Sequence, residues 1–434
     1  MRYHVAANVG RKTSGIVPRA LALAMFVACN KAEQPAAPVV PMVTRTDSAG
    51  IELVQIAKLD TSALETWEIG PQPITVIGDD ARGDAHVFRS VRGPIRMADG
   101  RVMVALETEI REFDSTGTFT RNIARKGRGP GEFQDLSAMQ RIHGDTLLVY
   151  ERYPATATFF SPSGEYLRRT TVIRPRANEE VPGTSFKAAF PDGTLLLAQR
   201  PPGEHLSKLG VVWADSAKPL HVDITGKLIA EFPKHWDHDV TRVEARAGLT
   251  AQNKAHMSSF PAVPRRSVWG VAGNQLYYSV REKFEVELWS ADGKLKRIIR
   301  MTTRDIPRTP ADSDVYRFEG VTFDFAPVAT PFVSPIANVE SDRDGNLWIM
   351  LDKRALEGGA PAVLVLDSTG APIARTSFKY DPALASKYRL LSNNRDISAD
   401  AVTTEALDAD DRQHVLVFRV RKTPALRSPT AGTR

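Results

Sequence analysis

Short hydrophobic runs alternate with tight polar turns along most of the chain. One four-residue turn begins with Asp or Ser and ends with Gly, and it occurs at Asp47–Gly50, Asp114–Gly117, Ser161–Gly164, Asp223–Gly226, Ser290–Gly293 and Asp367–Gly370. An Asp or Ser side chain bonds to the backbone two residues on, and Gly adopts the positive φ that closes a hairpin. Apolar strands flank most of these turns, which predicts a series of β-hairpins.

A second turn alternates with the first. It occurs at Ala98–Gly100, His143–Asp145, Pro191–Gly193, Gly273–Asn274, Asp342–Gly345 and, more loosely, Asp410–Arg412. The strands that follow it, such as VMVAL, LLVYE and LWIML, have few charges and many β-branched or aromatic residues. Strands of this kind are buried on both faces. From residue 90 to 375 the two turns therefore predict four-stranded meanders, with the second turn between strands a and b and the first between c and d.

The first hairpin, Thr44 to Ile56, has no partner before it, and the last a–b pair, which contains Val415–Val420, has no hairpin after it. We therefore predict that the two pair in one sheet, because a ring closed by both chain ends has no exposed sheet edge. The fold class is all-β, a six-bladed β-propeller whose last blade combines the N-terminal c–d hairpin with C-terminal a–b strands. A miscount would give five or seven blades, and stacked independent sandwiches would leave the first hairpin unexplained.

The turns also predict which face is functional. In a meander the a–b and c–d turns lie on one face, and the b–c loops and the links between blades lie on the other. The long segments all belong to the second face: 57–90, 231–267, 301–335 and 376–402 between blades, with 200–210 and 353–361 within blades. Because binding residues concentrate on long loops held by a rigid scaffold, we expect the functional surface there.

The N-terminus has the pattern of an export signal. Basic residues precede an apolar run, Ala20 to Ala28, which is too short to span a bilayer. Phe26 to Cys29 resembles a bacterial lipobox, which implies that a lipid on Cys29 anchors the protein to a membrane; the alternative is an ordinary signal peptide that contains a cysteine. The predicted domains are a signal peptide (1–28), a lipid-anchored flexible linker (29–41), the propeller (42–425) and a disordered tail (426–434).

Composition narrows the partners and the location. The net charge of +6 is spread over 434 residues without a polybasic run, so we expect no nucleic-acid partner. Cys29 is the only cysteine, so the mature protein has no internal disulfide. Asn30 stands where an Asp would retain some lipoproteins at the inner membrane, which favours the periplasmic face of the outer membrane. We expect a monomer in the cell envelope.

Residues 67 to 135 carry a family resemblance. The segment Gly127–Phe133, GRGPGEF, follows the first predicted blade. It resembles the Gly-rich segment between the blades of bacterial six-bladed β-propeller lipoproteins related to NHL-repeat proteins. The resemblance implies a propeller fold and export, but it implies no activity. Within this segment Arg128 and Glu132 are candidate ligand-binding residues, because glycines allow close backbone approach to an anion. The alternative is a structural crossover with Phe133 packed between blades.

The segment 231–267 contains the other candidate site residues. Imidazole and carboxylate groups that suit a divalent cation, the one cofactor that the sequence suggests, occur at His235, Asp237, His238 and Asp239. Arginines that suit an anionic ligand occur at Arg242, Arg265 and Arg266, with Arg317 in the next insertion. A polar loop and a solvated basic surface are the alternatives.

Two functions are consistent with these patterns. The first is an exported scaffold that binds a small-molecule ligand or a protein without turning it over. The second is a metal-dependent propeller enzyme, a lactonase- or lyase-like hydrolase with its site at the channel mouth. The predicted inner strands are mostly apolar, which favours the scaffold, and no catalytic residue set is identified.

Overall fold

The structure is a computed structural model, and it describes residues 42–172, 184–199, 212–245, 255–259, 266–309, 331–377, 381–391 and 395–425. The predicted signal peptide, Cys29 with its linker, and the tail all lie outside the described residues. So do Arg265 and Arg317. For Asp239 and Arg242 the structure describes the backbone but not the side chain.

The described chain is almost entirely β-structure, in consecutive antiparallel groups. Four N-terminal strands come first: β1 (Val43–Ser48), β2 (Ile51–Ile56), β3 (Glu65–Ile69) and β4 (Thr75–Ile77). Group 1 contains β5 (Val91–Arg96), β6 (Val102–Leu106), β7 (Ile110–Phe113) and β8 (Phe119–Lys126), with β9 (Glu132–Phe133) parallel to β8. Group 2 contains β10 (Leu136–Arg141), β11 (Leu147–Glu151), β12 (Thr156–Phe160) and β13 (Tyr166–Thr171).

Group 3 contains β14 (Thr184–Ala189), β15 (Leu195–Gln199), β16 (Val212–Val222) and β17 (Leu228–Glu231). Two more strands extend it: β18 (His235–Ala245) pairs with β16, and β19 (Ala255–Ser259) pairs with β18. Group 4 contains β20 (Val268–Ala272), β21 (Gln275–Ser279), β22 (Glu285–Ser290) and β23 (Leu295–Met301). A small hairpin, β24 (Ile306–Pro307) with β25 (Phe332–Val333), follows. Group 5 contains β26 (Ile336–Ser341), β27 (Leu347–Leu351), β28 (Val363–Leu366) and β29 (Pro372–Ser377).

Group 6 contains β30 (Arg389–Leu390), β31 (Asp396–Ile397), β32 (Ala401–Leu407) and β33 (Gln413–Thr423). The helical elements are short: 3-10 turns at Thr61–Ala63, Asp80–Arg82, Asp84–His86 and His143–Asp145, and α1 (Pro382–Lys387). No helix among the described residues is both long enough and apolar enough to cross a membrane.

The groups are arranged around one axis. The first strand of each group contacts the first strand of the next, from β5 to β10, β14, β20 and β26, and β31 and β32 contact β5. An ion pair between Arg343 and Asp396 joins groups 5 and 6. The prediction of an all-β propeller is therefore confirmed.

The turns have the predicted chemistry. In the turn between β7 and β8, Asp114 accepts hydrogen bonds from the backbone N–H groups of Thr116 and Thr118, both at 2.9 Å. Gly117 has a φ of 81°, and an added Cβ would lie 2.9 Å from the carbonyl oxygen of Val76. Glycine is therefore required there both by the backbone conformation and by the neighbouring strand β4.

The predicted position of the N-terminal hairpin is wrong. Strand β2 pairs in parallel with β23, from Glu52 opposite Arg297 to Ile56 opposite Met301, and does not lie beside Val415–Val420. The physical reason is a matched surface on group 4. Val54 and Ile56 are buried against its core, and Glu52 pairs with Arg297 at the same edge.

The last group is instead completed by β3 and β4. Both pair antiparallel with β33, Ile69 opposite Val420 and Ile77 opposite Val415. Asp408 to Arg412 therefore joins the second and third strands of this group rather than the first and second. Both chain ends contribute to one sheet, as predicted, but with three strands from the C-terminal segment and one interrupted strand from the N-terminal segment.

Candidate functional site: the central cavity

A cavity of about 610 Å³ lies on the propeller axis, at the ends of the first strands. Its walls come from β5, β10, β14, the turns after β20 and β26, and β31. The turns His143–Asp145 and Asp342–Gly345 border it, so it lies at the end opposite to the long loops that we expected to be functional. Parts of those loops lie outside the described residues.

Strand β10 illustrates how polar side chains reach this cavity. Leu136 and Met139 are buried in the core between groups 1 and 2. A β-bulge between Leu136 and Ala138 shifts the register within this strand. After the bulge the register is regular, so Met139 and Arg141 lie on the same face of the strand. Arg141, at the end of the strand, lines the cavity with its side chain only 8% exposed.

Asp396 is the centre of the polar network. Its carboxylate pairs with Arg141 Nη2 at 2.8 Å and with Arg343 Nη2 at 2.8 Å. The backbone N–H of Arg96 also donates to it at 2.8 Å. Burial raises the pKa of Asp396, and the neighbouring arginines oppose that change. One carboxylate thus connects groups 1, 2, 5 and 6, and its three donors form a carboxylate-binding arrangement.

Two further carboxylates lie behind arginines of the cavity wall. Glu340 pairs with Arg395 Nη1 at 3.4 Å, and both side chains are largely buried. Glu405 is 5% exposed, and the positive charge that acts on it belongs to Arg92. Burial raises the pKa of each glutamate to about 7. Two buried carboxyl groups with raised pKa values therefore lie behind the channel wall.

The expectation that the inner strands are mostly apolar is wrong. The apolar strands are the second strands of the groups, such as β6 and β11, which are buried on both faces. The first strands and their adjoining turns carry polar and charged side chains into the channel, among them Arg92, Gln140, Arg141, Lys187, Arg343 and Arg395. The argument from apolar inner strands against a functional channel therefore does not hold.

The predicted metal ligands are only partly brought together. Asp237 and His238 on β18 form a cluster with Asp215 on β16, with potential ligand atoms within 4.8 Å of one another. His238 Nδ1 lies 3.0 Å from Asp237 Oδ2 and its Nε2 lies 3.8 Å from Asp215 Oδ2. His235 does not join them, because its Nδ1–H donates to the carbonyl oxygen of Pro233 at 2.6 Å and its ring packs on Tyr278.

The predicted anion ligands lie away from the cavity wall. Glu132 accepts a hydrogen bond from the backbone N–H of Gly129 at 2.9 Å and pairs with Arg125, and these contacts lower its pKa. Arg128 is exposed, and Phe133 is fully buried against Phe160. The GRGPGEF segment is thus a packed crossover between groups 1 and 2.

Arg266 forms an isolated bridge with His238 at the edge of group 4, and it does not line the cavity. Of the other predicted arginines, only the backbone of Arg242 is described, where it pairs with Ser258.

The sequence analysis missed the channel arginines, although the sequence contains a signal for one of them and for the neighbouring backbone donor to Asp396. Arg96 lies three residues before Asp99-Gly100, and Arg141 lies three residues before Gly144-Asp145. An arginine at the same distance from two successive a–b turns has the same position on two first strands. Because first strands surround the channel, the repeated position indicates two strand ends beside the channel: Arg141 lines the cavity, and Arg96 donates its backbone N–H to Asp396.

Comparison with known proteins gives structural matches of low similarity. No family model and no curated protein match the chain. An exported-protein candidate from Bacteroides fragilis is 12% identical, with 85% of this chain and 99% of that chain covered and a TM-score of 0.41. A gluconolactonase from Xanthomonas campestris is 11% identical, with 77% and 87% covered and a TM-score of 0.35. The calcium-binding protein regucalcin from Agrobacterium tumefaciens is 13% identical, with 83% and 98% covered and a TM-score of 0.32. Each TM-score is below 0.5, so the fold assignment depends on the strand pairing described above.

Proposed function

We propose that this chain is an exported, lipid-anchored β-propeller of the bacterial cell envelope that binds a small anionic ligand in its central cavity. In this proposal the six strand groups are six blades. The lipid is attached to Cys29, and the linker 29–41 holds the propeller at the periplasmic face of the outer membrane. The protein acts as a binding scaffold, and its ligand is not turned over.

The observation that carries this proposal is the charge of the cavity wall. Three carboxylates line the cavity, Asp145, Asp342 and Asp396, against five basic side chains, Arg92, Arg141, Lys187, Arg343 and Arg395. Asp342 is engaged within its own turn, where it accepts from the N–H groups of Asp344 and Asn346. A concave surface with an excess of arginine concentrates anions and binds them by charge-assisted hydrogen bonds.

The size of the cavity agrees with a small ligand. Small-molecule sites have volumes of roughly 300–1,000 Å³, and this cavity has about 610 Å³. The contacts of Asp396 also show that the arginines of the wall are placed to bind a carboxylate group from the chain itself. A ligand carboxylate or sulfate would need the same donors.

Calorimetric titration of the purified full-length protein tests the proposal. We expect sulfate and succinate to bind, and neutral glucose not to bind. Arg343→Gln should weaken anion binding by roughly 10-fold or more, since a hydrogen bond to a charged group contributes about 1.5–3 kcal/mol. Arg300→Gln, which removes an exposed arginine at the outer edge of group 4, is the matched control. Binding of glucose in preference to the anions, or equal weakening by both variants, would refute the proposal.

The lipid anchor has its own test. Cells that express the protein are grown with a radioactive fatty acid, and the wild type is compared with Cys29→Ala. Label on the wild type alone supports the anchor. Equal labelling of the two would show that Cys29 carries no lipid and would favour an ordinary signal peptide.

The alternative function is a metal-dependent propeller enzyme of the lactonase or lyase type. The observation that favours it is the cluster of Asp215, Asp237 and His238, whose oxygen and nitrogen atoms suit a divalent cation. Metal analysis of the purified protein and thermal melts with and without chelator test it. One bound ion per chain, lost in Asp237→Asn but kept in the exposed Asp292→Asn, would support the enzyme.

A further inference from the structure

One arginine of the cavity wall pairs with a buried glutamate, and a second acts on another buried glutamate through its charge. Arg395 pairs with Glu340 at 3.4 Å, and Arg92 is the cation whose charge acts on Glu405. Among the described residues, Arg92 Nε and Glu405 Oε1 are buried without a hydrogen-bond partner. Buried charged groups with unsatisfied atoms are poorly stabilised, so a ligand anion that reaches the guanidinium groups can be a better partner for them.

The surroundings of these glutamates come from several elements. Around Glu340 lie Arg395, Asn338 on the same strand, and Tyr277 of β21, whose hydroxyl donates to the carbonyl oxygen of Val339. Within the described part of the chain, Arg92 of β5 is the charged group whose field acts on Glu405. Burial raises the pKa of both glutamates to about 7, with the arginine as the charge that opposes this change in each case. Each glutamate therefore changes its charge near neutral pH.

We propose that an anion bound in the cavity takes Arg92 and Arg395 as partners in addition to Arg343, and that Glu405 and Glu340 then take up protons. The inference depends on the proposed anion binding. Its physical basis is competition for the same two guanidinium groups. Once a ligand anion pairs with the arginines, a nearby ionised carboxylate repels it and loses its own counter-charge, so the protonated form of each glutamate becomes favoured. Protons come from the solvent, and up to two are bound per ligand.

Proton uptake makes binding depend on pH in a defined direction. The affinity for the anion falls as pH rises above about 7, because the concentration of the protons that must bind with it decreases. For each proton taken up, the apparent Kd increases about tenfold per pH unit. The dependence of Kd on pH disappears below the pKa that the two glutamates have in the ligand-free protein, because both are then already protonated.

Titration with sulfate, which does not change its own charge in this range, measures the effect on the full-length wild type. Binding enthalpies at pH 7.5 to 8.5 are compared in two buffers with different heats of ionisation, which gives the number of protons taken up. We expect a value between about one and two, and a Kd that rises with pH at the matching slope. Sulfate binding with no proton uptake would overturn this inference and leave the proposed function standing. Absence of binding by both sulfate and succinate at every pH, including pH values below 7, would overturn both.

Glutamine substitutions locate the protons. In Glu405→Gln and Glu340→Gln we expect fewer protons per sulfate and a smaller slope of Kd with pH. Glu285→Gln is the matched control, since Glu285 is exposed and pairs with Arg300 on the outer edge of group 4. Should the control reduce proton uptake as much as the two channel variants, the protons bind elsewhere and the inference is wrong. The wild-type slope with pH remains an independent test if a variant does not fold.

Discussion

Asp396 connects four strand groups, so its replacement tests whether the polar network holds the ring together. Asp396→Asn keeps the size of the side chain and an oxygen that can accept from the N–H of Arg96, but it removes the charge that faces Arg141 and Arg343. Loss of one partner of a buried pair costs about 3–5 kcal/mol. Arg141 keeps a second contact with Asp145 at 3.1 Å, and Arg343 is 25% exposed. We therefore expect a decrease of about 2–3 kcal/mol in the free energy of unfolding.

Urea denaturation gives this value directly, and a thermal melt gives a second measure. With an unfolding entropy of about 2.1 cal/mol/K per residue over roughly 380 residues, 2–3 kcal/mol corresponds to a decrease of about 3 °C in Tm. Asp400→Asn is the matched control, because Asp400 pairs with Arg96 at 3.1 Å but is 65% exposed. An exposed pair contributes about 0–1 kcal/mol. Equal losses in the two variants would refute the structural role of Asp396.

Three further predictions concern other parts of the fold. Gly293→Ala should decrease the free energy of unfolding by about 2 kcal/mol more than Gly50→Ala, measured by urea denaturation. Both glycines have positive φ, but only at Gly293 would an added Cβ contact a backbone oxygen, at 2.6 Å. The free energy of unfolding of the wild type should decrease as the pH rises from about 4.5 to 7. Burial raises the pKa of Glu405 in the folded chain, so the unfolded chain loses this proton first and ionisation favours unfolding. Glu405→Gln should remove up to about 3 kcal/mol of that decrease, measured by urea denaturation across this pH range. Trp348→Ala should cost about 3–5 kcal/mol by the same assay, because this fully buried indole also donates to Asp342 at 3.0 Å; a cost near 1 kcal/mol would contradict its position in the core.

Turn chemistry made most of the fold predictable from the sequence. An Asp that accepts from the backbone two residues on, followed by a Gly with positive φ, is a local device that does not depend on distant contacts. The c–d turns of groups 1 to 5 are predictable for this reason, with Ser in place of Asp in two of them, and the a–b turns are predictable from their recurrence between the c–d turns. The apolar runs after the a–b turns were also predicted as buried, because burial on both faces excludes charge.

The closing strands could not be predicted from local pattern. The position of the hairpin Thr44 to Ile56 beside β23 depends on burial of Val54 and Ile56 and on the ion pair between Glu52 and Arg297, which are 245 residues apart. Strand β4 has only three residues, so its sequence lacks the alternation that identifies a strand. The strand that pairs with β33 was therefore assigned to a long loop.

The candidate site was missed for a related reason. Motif searches favour residues that are close in sequence, and they selected His235 to Asp239. Asp396 and its partners Arg141 and Arg343 lie on three different groups, and only the ring brings them together. The repeated position of Arg96 and Arg141 was the available signal, but its meaning depends on knowing that first strands line the channel.

Ring closure by β3 and β4 is the central structural claim, because it brings group 6, and with it Asp396, beside group 1. Disulfide trapping in a Cys29→Ser background tests it. Thr66 lies opposite Thr423, and paired residues on neighbouring strands have the Cα separation that a disulfide needs. We predict that Thr66→Cys with Thr423→Cys forms the bond on mild oxidation, whereas Gln55→Cys with Arg419→Cys stays reduced. A reduced first pair together with an oxidised second pair would contradict the account, since it would place the N-terminal hairpin beside the C-terminal strand.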